Sequence, residues 1–300
     1  MKVSVVIVNY KNPPLIVQCV KSILQFEHTV DYEIIVVDNN SEDNTEQQLR
    51  AIYPNLKWIQ MDYNSGFAKA NNAGLKVAEG EYVLFLNADT ILIEPIFSKM
   101  IQQFNADSKI GVVGCRLLNS DNSLQLSYHN GDCFYRKLWW RNPLAIKLGC
   151  SRHNDIEKQK TVKAHTCNHS PRWICGAAMM MRRQTIIERD LYWDEDFFMY
   201  WEDVELCSRI RKAGLKVGYT PEASIVHLGG GGANVPMERF ATMEESKLKC
   251  IEKTRSRFCR WLYVCLLKLE LRLEYRLQKR KNLPIYGLLD KELTFYKIKR

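Results

Sequence analysis

The chain has 300 residues, 46% of them hydrophobic, which suits one α/β domain with appendages and suffices for a packed core. Its ten cysteines include no C-x-x-C pair, so neither a zinc ribbon nor a disulfide framework is predicted, and no stretch approaches the length that spans a bilayer. Residues 247–300 include 16 basic and 5 acidic residues, a net charge of +11. The rest of the chain has 27 basic and 29 acidic residues, a net charge of −2. This asymmetry favours an enzyme-like body with a surface-binding extension over a nucleic-acid-binding protein.

Four apolar runs in the first third of the chain predict buried strands, and helical patterns separate them. The runs are Val3–Val8, Glu33–Val37, Lys57–Met61 and Tyr82–Leu86. The first follows a single Lys and is too short for the core of a signal peptide, so we interpret it as a strand. Helices are predicted to start at Pro13, Ser41 and Ile93. This alternation predicts an α/β fold with a doubly wound, mostly parallel central sheet flanked by helices.

Polar clusters follow three of these strands, at Asn9–Tyr10, Asp38–Asn40 and Asn87–Asp89. Because the carboxyl ends of parallel strands meet at one edge of a sheet, the clusters are expected to converge there. An Asp at such an edge can hold a divalent cation that bridges nucleotide phosphates. The alternative for each single cluster is an ordinary turn or helix cap. The chain lacks both G-x-G-x-x-G after its first strand and G-x-x-x-x-G-K-[ST], which excludes the two commonest phosphate-binding loops.

The order of these motifs resembles the family 2 glycosyltransferases of the GT-A fold, and most closely their bacterial rhamnosyltransferase-like branch. The segments that carry the resemblance are Ser4–Tyr10, Val36–Ser41, Asn64–Asn71, Leu84–Asp89, Trp173–Arg183, Asp194–Cys207 and Pro221–His227. The resemblance implies a Rossmann-like GT-A catalytic domain over residues 1–240. Its nucleotide-sugar half would cover about residues 1–115 and its acceptor half about 116–240. Residues 241–300 would form a basic, amphipathic helical extension.

The resemblance assigns the donor site residue by residue. Tyr10 and Asp38 would contact the base and the ribose of a nucleoside diphosphate sugar, and Asn40 follows in the same loop. The segment from Gly66 to Asn71 would border the donor, and Gly66 would allow close approach of the backbone. These residues, together with Asn87 and Asp89, are therefore the expected nucleotide-sugar-binding set.

The resemblance also implies a site for Mn²⁺ or Mg²⁺. Asn87-Ala88-Asp89 stands where the family has its Asp-x-Asp motif, and Asp89 matches the cation-binding residue. Asn87 departs from the stricter motif, because an amide can ligate but lacks the negative charge. His227 would be a second metal ligand, although a lone histidine is more often structural. The glycines that follow, Gly229–Gly232, are expected to form a flexible lid.

The acceptor side is predicted in the second half of the chain. The family places its general base at a paired-carboxylate position that Glu202 and Asp203 match, Asp203 better. The alternative is structural, since carboxylates are favoured at the start of a helix. Trp173, Asp194 and Trp201 are the expected acceptor-binding residues, while most other aromatic residues nearby are expected to pack in the core.

Two further segments are predicted with less detail. Residues 249–281 interleave basic and apolar residues and predict a long basic amphipathic helix. It would lie on anionic lipid and bring the enzyme to a lipid-linked acceptor, or it would pack on the catalytic domain or on a second subunit. Residues 119–172 are interpreted as an insertion over the acceptor site, since the spacing of His153, His165, Cys167 and His169 fits no usual zinc pattern.

The predicted function is that of an inverting, metal-dependent glycosyltransferase in cell-surface polysaccharide synthesis. It would move a sugar, with rhamnose from its dTDP form as the first candidate and UDP-sugars as the alternative, to a glycan or lipid-linked glycan hydroxyl. The expected location is the cytoplasm or the cytoplasmic face of the inner membrane. Two alternatives are a non-catalytic carbohydrate- or membrane-binding relative and a sugar-nucleotide pyrophosphorylase. The second would need a Gly-rich basic loop after the first strand, where Asn9-Tyr10-Lys11-Asn12 stands instead.

Overall fold

A computed structural model describes residues 2–129, 162–229 and 237–265 of the chain. The described residues fall into two compact units: 2–129 with 162–229 form the first, and 237–265 belong to the second.

The first unit alternates strands and helices. Its strands are β1 (Val3–Asn9), β2 (Tyr32–Asp38), β3 (Lys57–Gln60), β4 (Tyr82–Asn87), β5 (Thr90–Leu92), β6 (Ile110–Leu118), β7 (Leu124–Gln125), β8 (Tyr128–His129), β9 (Trp173–Ile174), β10 (Ala178–Arg182) and β11 (Lys216–His227). Its helices are α1 (Pro13–Phe26), α2 (Thr45–Ile52), α3 (Phe67–Lys76), α4 (Phe97–Ala106), α5 (Arg183–Glu188) and α6 (Glu202–Lys212). All four predicted strands are confirmed.

The central sheet has the strand order β3-β2-β1-β4-β10-β6-β11-β5, with β7 paired to β6. Strands β3, β2, β1 and β4 are parallel to one another, as predicted. In the other half, β10 runs antiparallel to β4 and β6, while β6 and β11 are parallel. The α/β architecture is therefore confirmed, and the antiparallel insertion of β10 is a feature that the sequence pattern did not predict.

Strand β1 is covered by helices on both faces. Val5 and Ile7 lie in the main core together with residues of α1, including Val20. On the other face, a Cβ added at Gly74 of α3 would come within 2.4 Å of Cγ1 of Val6. Because successive strand residues point to opposite faces, α1 and α3 lie on opposite sides of the sheet. This double burial explains the uninterrupted apolar run.

Two predicted helix starts are wrong by four residues each, and both errors have a visible cause. Ser41 is held at the end of β2, since its backbone N–H donates to Asp38 Oδ2 (2.8 Å), so α2 begins only at Thr45. After β4 the chain forms β5 before α4 begins at Phe97, whose N–H donates to Glu27 Oε1 (3.0 Å). Side-chain hydrogen bonds thus decide where these helices start, through a residue three positions away for α2 and one 70 positions away for α4.

The described part of the second unit consists of α7 (Met237–Thr254) and a helical segment over 257–265. Tyr263 Oη donates to Glu244 Oε2 (3.4 Å), and Lys247 Nζ lies 4.7 Å from the Tyr263 ring centroid.

The prediction of one uninterrupted helix from Lys249 is wrong, because α7 ends at Thr254. The backbone N–H of Cys259 donates to Ser256 Oγ (3.3 Å), which caps a new helix. The rest of the predicted tail helix, over 266–281, lies outside the described residues. No helix in the described part of the chain combines the length and apolar character needed to cross a membrane.

Candidate active site

The carboxyl ends of β1 and β2 are joined by a network around Asp38. Asn9 Nδ2 donates to Asp38 Oδ1 (2.7 Å) and to Ser41 Oγ (3.2 Å), and Ser41 Oγ donates to Asp38 Oδ1 (2.6 Å). Gln60 Nε2 donates to Asp38 Oδ2 (3.1 Å). Asp38 is buried and both of its oxygens accept hydrogen bonds, so it organises this rim of the sheet. Its predicted contact with a ribose stays a prediction.

The loops after β1 and β2 are tied together and strained. The backbone N–H of Lys11 donates to Ser41 Oγ (2.9 Å), and Lys11 and Asn40 have left-handed φ angles of 50° and 63°. Such strain is concentrated at functional sites. Tyr10 is 44% exposed, with Lys11 Nζ 5.4 Å from its ring centroid, so its ring is available to a ligand.

Gly66 lies against the segment 194–201. Its φ is +83°, and an added Cβ would come within 2.3 Å of the Phe198 carbonyl oxygen. That oxygen accepts from the N–H of Phe67 (2.7 Å). Asn39 Nδ2 donates to the Gly66 carbonyl (3.0 Å), which connects the loop to the end of β2. The predicted close approach at Gly66 is therefore observed, toward another part of the chain.

Two neighbouring asparagines of α3 differ in role. Asn71, predicted to bind the donor, is buried and its Nδ2 donates to the Phe67 carbonyl (3.0 Å), within its own helix. Asn72 Nδ2 donates to the Trp193 carbonyl (2.8 Å), and the Trp193 N–H donates to Asn72 Oδ1 (3.0 Å). Asn72 thus anchors the start of the aromatic 193–201 segment, a role that the sequence did not indicate.

The predicted metal ligands come together at the end of β4. Asp89 Oδ1 lies 3.3 Å from His227 Nε2, because β11 pairs with β5 and places His227 opposite Thr90. The Asn87 side-chain oxygen is buried and has no hydrogen-bond donor within the described residues.

This arrangement fits a divalent cation that arrives with a ligand. The side chains of Asn87, Asp89 and His227 carry oxygen and nitrogen atoms of the kind that bind Mn²⁺ or Mg²⁺. No cluster of three or more His, Cys, Asp or Glu side chains that could hold a metal occurs among the residues the structure covers. A cation here would therefore complete its coordination with the oxygens of a bound diphosphate.

The predicted carboxylate pair begins α6. Asp203 Oδ2 accepts from the Gly176 N–H (2.9 Å) and its Oδ1 accepts from the Val204 N–H (2.8 Å). Burial, and then the charge of Asp203, raise the pKa of Glu202 to about 8. Burial also raises the pKa of Asp203, while its backbone hydrogen bonds act in the opposite direction. The backbone hydrogen bonds favour the ionised form of Asp203, whereas burial opposes the ionisation of both carboxyl groups.

A three-residue segment, Cys175–Ala177, joins the metal-ligand end of β4 to the carboxylate pair. The Gly176 N–H donates to Asp203, as described above, and the next residue accepts through its carbonyl oxygen from the Asn87 N–H (2.9 Å). Burial and the charges of Asp203, Asp89 and Glu202, in that order, raise the pKa of the Cys175 thiol to about 12. The Asp89 and Asp203 carboxylates thus border one site. No pattern in the sequence indicated Cys175 or Gly176 individually.

The predicted acceptor residues lie around the start of α6. Trp173 is in β9, against which α6 packs, and Trp201 directly precedes α6 with a left-handed φ of 68°. Asp194 Oδ1 accepts from the Asp196 N–H (3.1 Å) in the turn that opens this segment. Trp193 is buried against Phe67 and Phe85, as expected for core aromatics. Phe198 and Met199, which the sequence analysis did not select, are exposed in this segment.

Two of the histidines in the 119–172 insertion pack on one aromatic ring. The rings of His165 and Tyr128 stack with centroids 3.9 Å apart, and His169 stacks on Tyr128 at 5.3 Å. His165 Nε2 accepts from the Ser127 N–H (3.1 Å). Their role here is packing. Residues 130–161, with His153, and Gly230–Gly232 of the predicted lid lie outside the described residues.

Comparison with solved structures identifies the class of the fold as that of GT-A glycosyltransferases. The structure of Staphylococcus aureus TarS 1–349 in complex with UDP matches with a TM-score of 0.55 and 18% identity, covering 90% of this chain and 71% of that one. The structure of GalNAc-T7 with UDP, GalNAc and Mn²⁺ matches with a TM-score of 0.61 and 17% identity, covering 84% of this chain and 48% of that one. At these identities the likeness concerns the fold alone.

The family model of glycosyl transferase family 2 matches residues 4–187, and the chain belongs to this family. It is 26% identical over 238 residues to the O-antigen biosynthesis protein RfbC of Myxococcus xanthus, covering 75% of this chain and 17% of that protein. It is 28% identical over 199 residues to the poly-beta-1,6-N-acetyl-D-glucosamine synthase of Staphylococcus aureus, covering 64% of this chain and 41% of that protein. The chain thus spans less than half the length of either curated relative. Its membership of a glycosyltransferase family is as predicted.

Proposed function

We propose that this chain is an inverting, metal-dependent glycosyltransferase that moves a sugar from a nucleoside diphosphate to a hydroxyl of a glycan or lipid-linked glycan. The observation that carries the proposal is the Cys175–Ala177 segment, which bonds to Asn87 at the candidate metal end and to Asp203 at the carboxylate pair. A leaving diphosphate and a general base would thus share one site. A non-catalytic relative has no need for this pairing.

The mechanism is a single in-line displacement at the anomeric carbon. Asp203 takes the proton of the acceptor hydroxyl while the oxygen attacks and the sugar–phosphate bond breaks. Burial raises the pKa of Asp203, which makes its carboxylate a stronger base, and the N–H groups of Gly176 and Val204 hold that carboxylate in place. Asp89 and His227 would hold the cation, which when bound neutralises charge on the leaving diphosphate.

The donor is proposed to be a UDP-sugar or a dTDP-sugar. Both of these structures contain UDP, which makes UDP-sugars the first to test. The similarity to an O-antigen biosynthesis protein and a polysaccharide synthase supports a role in cell-surface polysaccharide synthesis. Rhamnose from its dTDP form is the alternative sugar to test. Tyr10 and the rim around Asp38 would receive the nucleoside.

The test is the thermal stability of the purified chain with UDP-, dTDP- and GDP-sugars, with and without Mn²⁺ or Mg²⁺. A specific donor at a hundred times its Kd adds about 2.7 kcal/mol of stability. We expect this gain only with metal, and we expect Asp89→Asn to abolish it. The matched control Asp31→Asn, at an exposed residue before β2 and at the opposite end of the strand from Asp38, should keep the full gain. Failure of every sugar nucleotide to bind would favour the non-catalytic relative.

We also propose that the second unit binds an anionic membrane surface, at the cytoplasmic face of the inner membrane. Phe258 and Trp261 are 67% and 60% exposed, and their stacked ring centroids lie 6.0 Å apart. Both residues belong to the stretch 247–300, which has a net charge of +11. This positive charge complements anionic lipid.

Vesicle co-sedimentation tests this surface. The chain should bind vesicles that contain anionic lipid and should not bind neutral ones, and Phe258→Ser with Trp261→Ser should reduce binding at least tenfold. Val77→Ser with Ile187→Ser, at exposed residues of the first unit, is the matched control. Dimers in sedimentation velocity that the double serine variant disrupts, without vesicle binding, would identify a second subunit as the partner.

A further inference from the structure

A chain of side-chain hydrogen bonds leads from the β6–β7 turn to His227. Ser123 Oγ lies 2.6 Å from Asp121 Oδ1, and Asn119 Nδ2 lies 2.9 Å from Ser123 Oγ. Gln125 Nε2 lies 3.2 Å from Asn119 Oδ1, and Gln125 Oε1 lies 2.7 Å from His227 Nδ1. We call these four residues, Asp121, Ser123, Asn119 and Gln125, the turn relay.

The direction of every bond in the turn relay follows from its ends. The Asp121 carboxylate can only accept, so Ser123 Oγ donates to it and is left to accept from the amide of Asn119. Asn119 then presents its oxygen to Gln125, whose amide nitrogen donates. The backbone carbonyl of His227 gives a second, independent reason: it can only accept, and it lies 3.4 Å from Gln125 Nε2. The Gln125 oxygen therefore faces the imidazole.

This orientation determines the tautomer of His227. Because the Gln125 oxygen accepts, Nδ1 must carry the hydrogen, and in the neutral ring Nε2 then holds a lone pair. That lone pair faces Asp89 Oδ1 at 3.3 Å, so two acceptors confront each other. In the usual structural arrangement the Nε2 hydrogen would donate to the carboxylate, and the turn relay opposes that arrangement. Two facing acceptors are stabilised when a cation lies between them.

We propose that Gln125, oriented by the turn relay, is a positioning residue that keeps His227 in the tautomer able to bind a divalent cation together with Asp89. The proposal rests on the metal-dependent function proposed above. Partners that set the tautomer and orientation of a metal-binding histidine typically change metal affinity by about 10- to 100-fold. Gln125 is in a two-residue strand outside the resemblance motifs, so the sequence indicated nothing about it.

The first test determines the tautomer of His227 in the absence of metal. Long-range ¹H–¹⁵N correlation spectra of the metal-free full chain at pH 8 report which nitrogen of His227 carries hydrogen, with the resonance assigned by comparison with His227→Gln. We expect hydrogen on Nδ1 in the parent chain and in Gln125→Glu, whose carboxylate still accepts. In Gln125→Leu we expect hydrogen on Nε2, donated to Asp89. Hydrogen on Nε2 or on both nitrogens in the parent chain would overturn the proposal, as would an unchanged tautomer in Gln125→Leu.

The second test measures the binding of Mn²⁺. Free Mn²⁺ is measured by electron paramagnetic resonance in the presence of UDP. Gln125→Leu should weaken Mn²⁺ binding about 10- to 100-fold, and Gln125→Glu should retain it. Gln184→Leu is the matched control, since this exposed residue of α5 bonds only to Glu188 among the described contacts. If the tautomers behave as expected and no variant binds Mn²⁺, the metal role in the proposed function fails while the tautomer assignment stands.

Discussion

Glu202→Gln should make the protein more stable at slightly alkaline pH, although it alters a residue of the candidate active site. Glu202 is buried, one of its carboxylate oxygens has no hydrogen-bond donor within the described residues, and burial with the neighbouring Asp203 raises its pKa to about 8 from 4.5. Between these two pH values the folded protein holds a proton that the unfolded chain releases. The proton on Glu202 therefore contributes its full stabilisation of the folded state below pH 4.5. This contribution is lost as the pH rises toward 8.

The size of the effect follows from the proton balance. One proton bound only by the folded state changes the free energy of unfolding by about 1.4 kcal/mol per pH unit. Between pH 5 and pH 8, the ionisation of Glu202 would thus lower the free energy of unfolding by about 4 kcal/mol. A neutral glutamine of the same shape removes this slope. The variant should match the parent chain near pH 5 and exceed it by a few kcal/mol at pH 8.

Urea unfolding at pH 5, 6, 7 and 8 measures this difference, with the m-value checked for equality so that midpoints report stability. Glu222→Gln, an exposed residue of β11, is the control and should follow the parent chain at every pH. A constant difference between parent and Glu202→Gln across the series would show that Glu202 is ionised in the folded protein. The raised pKa of Glu202 would then be contradicted.

Two further predictions concern the base and the loop at Gly66. Asp203→Asn should lower the transfer rate about 10²- to 10⁴-fold and leave donor binding nearly unchanged, measured by product formation and donor titration; an equal loss of donor affinity would contradict the role of base. Gly66→Ala should destabilise the fold more than Gly214→Ala in urea unfolding. Both glycines have positive φ, +83° and +79°, but an added Cβ meets the Phe198 carbonyl at 2.3 Å in the first and nothing within 4 Å in the second. Strain alone costs about 1–2 kcal/mol, so equal losses would refute the close contact.

Some of the buried polar atoms that lack a hydrogen-bond partner in the described part of the chain lie at the proposed site, while others, such as Glu27 Oε2 and Tyr128 Oη, lie elsewhere. Among the described residues, Asn9 Oδ1, Asn87 Oδ1 and Glu202 Oε2 are buried without a hydrogen-bond donor. Buried acceptors of this kind reduce stability, and a ligand or cation that satisfies them gains affinity in return. Departures from local satisfaction are expected where a protein binds its substrate. Their position supports the end of β4 and the start of α6 as the place of chemistry.

Much of the first half of the fold was predictable from the chain itself. A strand buried on both faces needs an uninterrupted apolar run, and the runs at β1, β2 and β4 therefore indicated a parallel sheet with helices on both sides. Because the carboxyl ends of such strands share one edge, Asn9, Asp38 and Asn87 could be assigned to a common rim. The start of α6 at Glu202 was also visible, since two carboxylates precede a helical pattern that ends at Gly214.

The sequence by itself thus determined the class of the fold, the family and the residue types of the proposed site, because local periodicity and motif order are properties of neighbouring residues. The tertiary structure alone decided which distant groups meet. Strand β10 enters antiparallel between β4 and β6 and brings Cys175–Ala177 between Asn87 and Asp203. The pairing of β11 with β5 brings His227 to Asp89, and the β6–β7 turn brings Gln125 to His227. Such contacts depend on sheet order and register between segments about a hundred residues apart, and no local pattern encodes them.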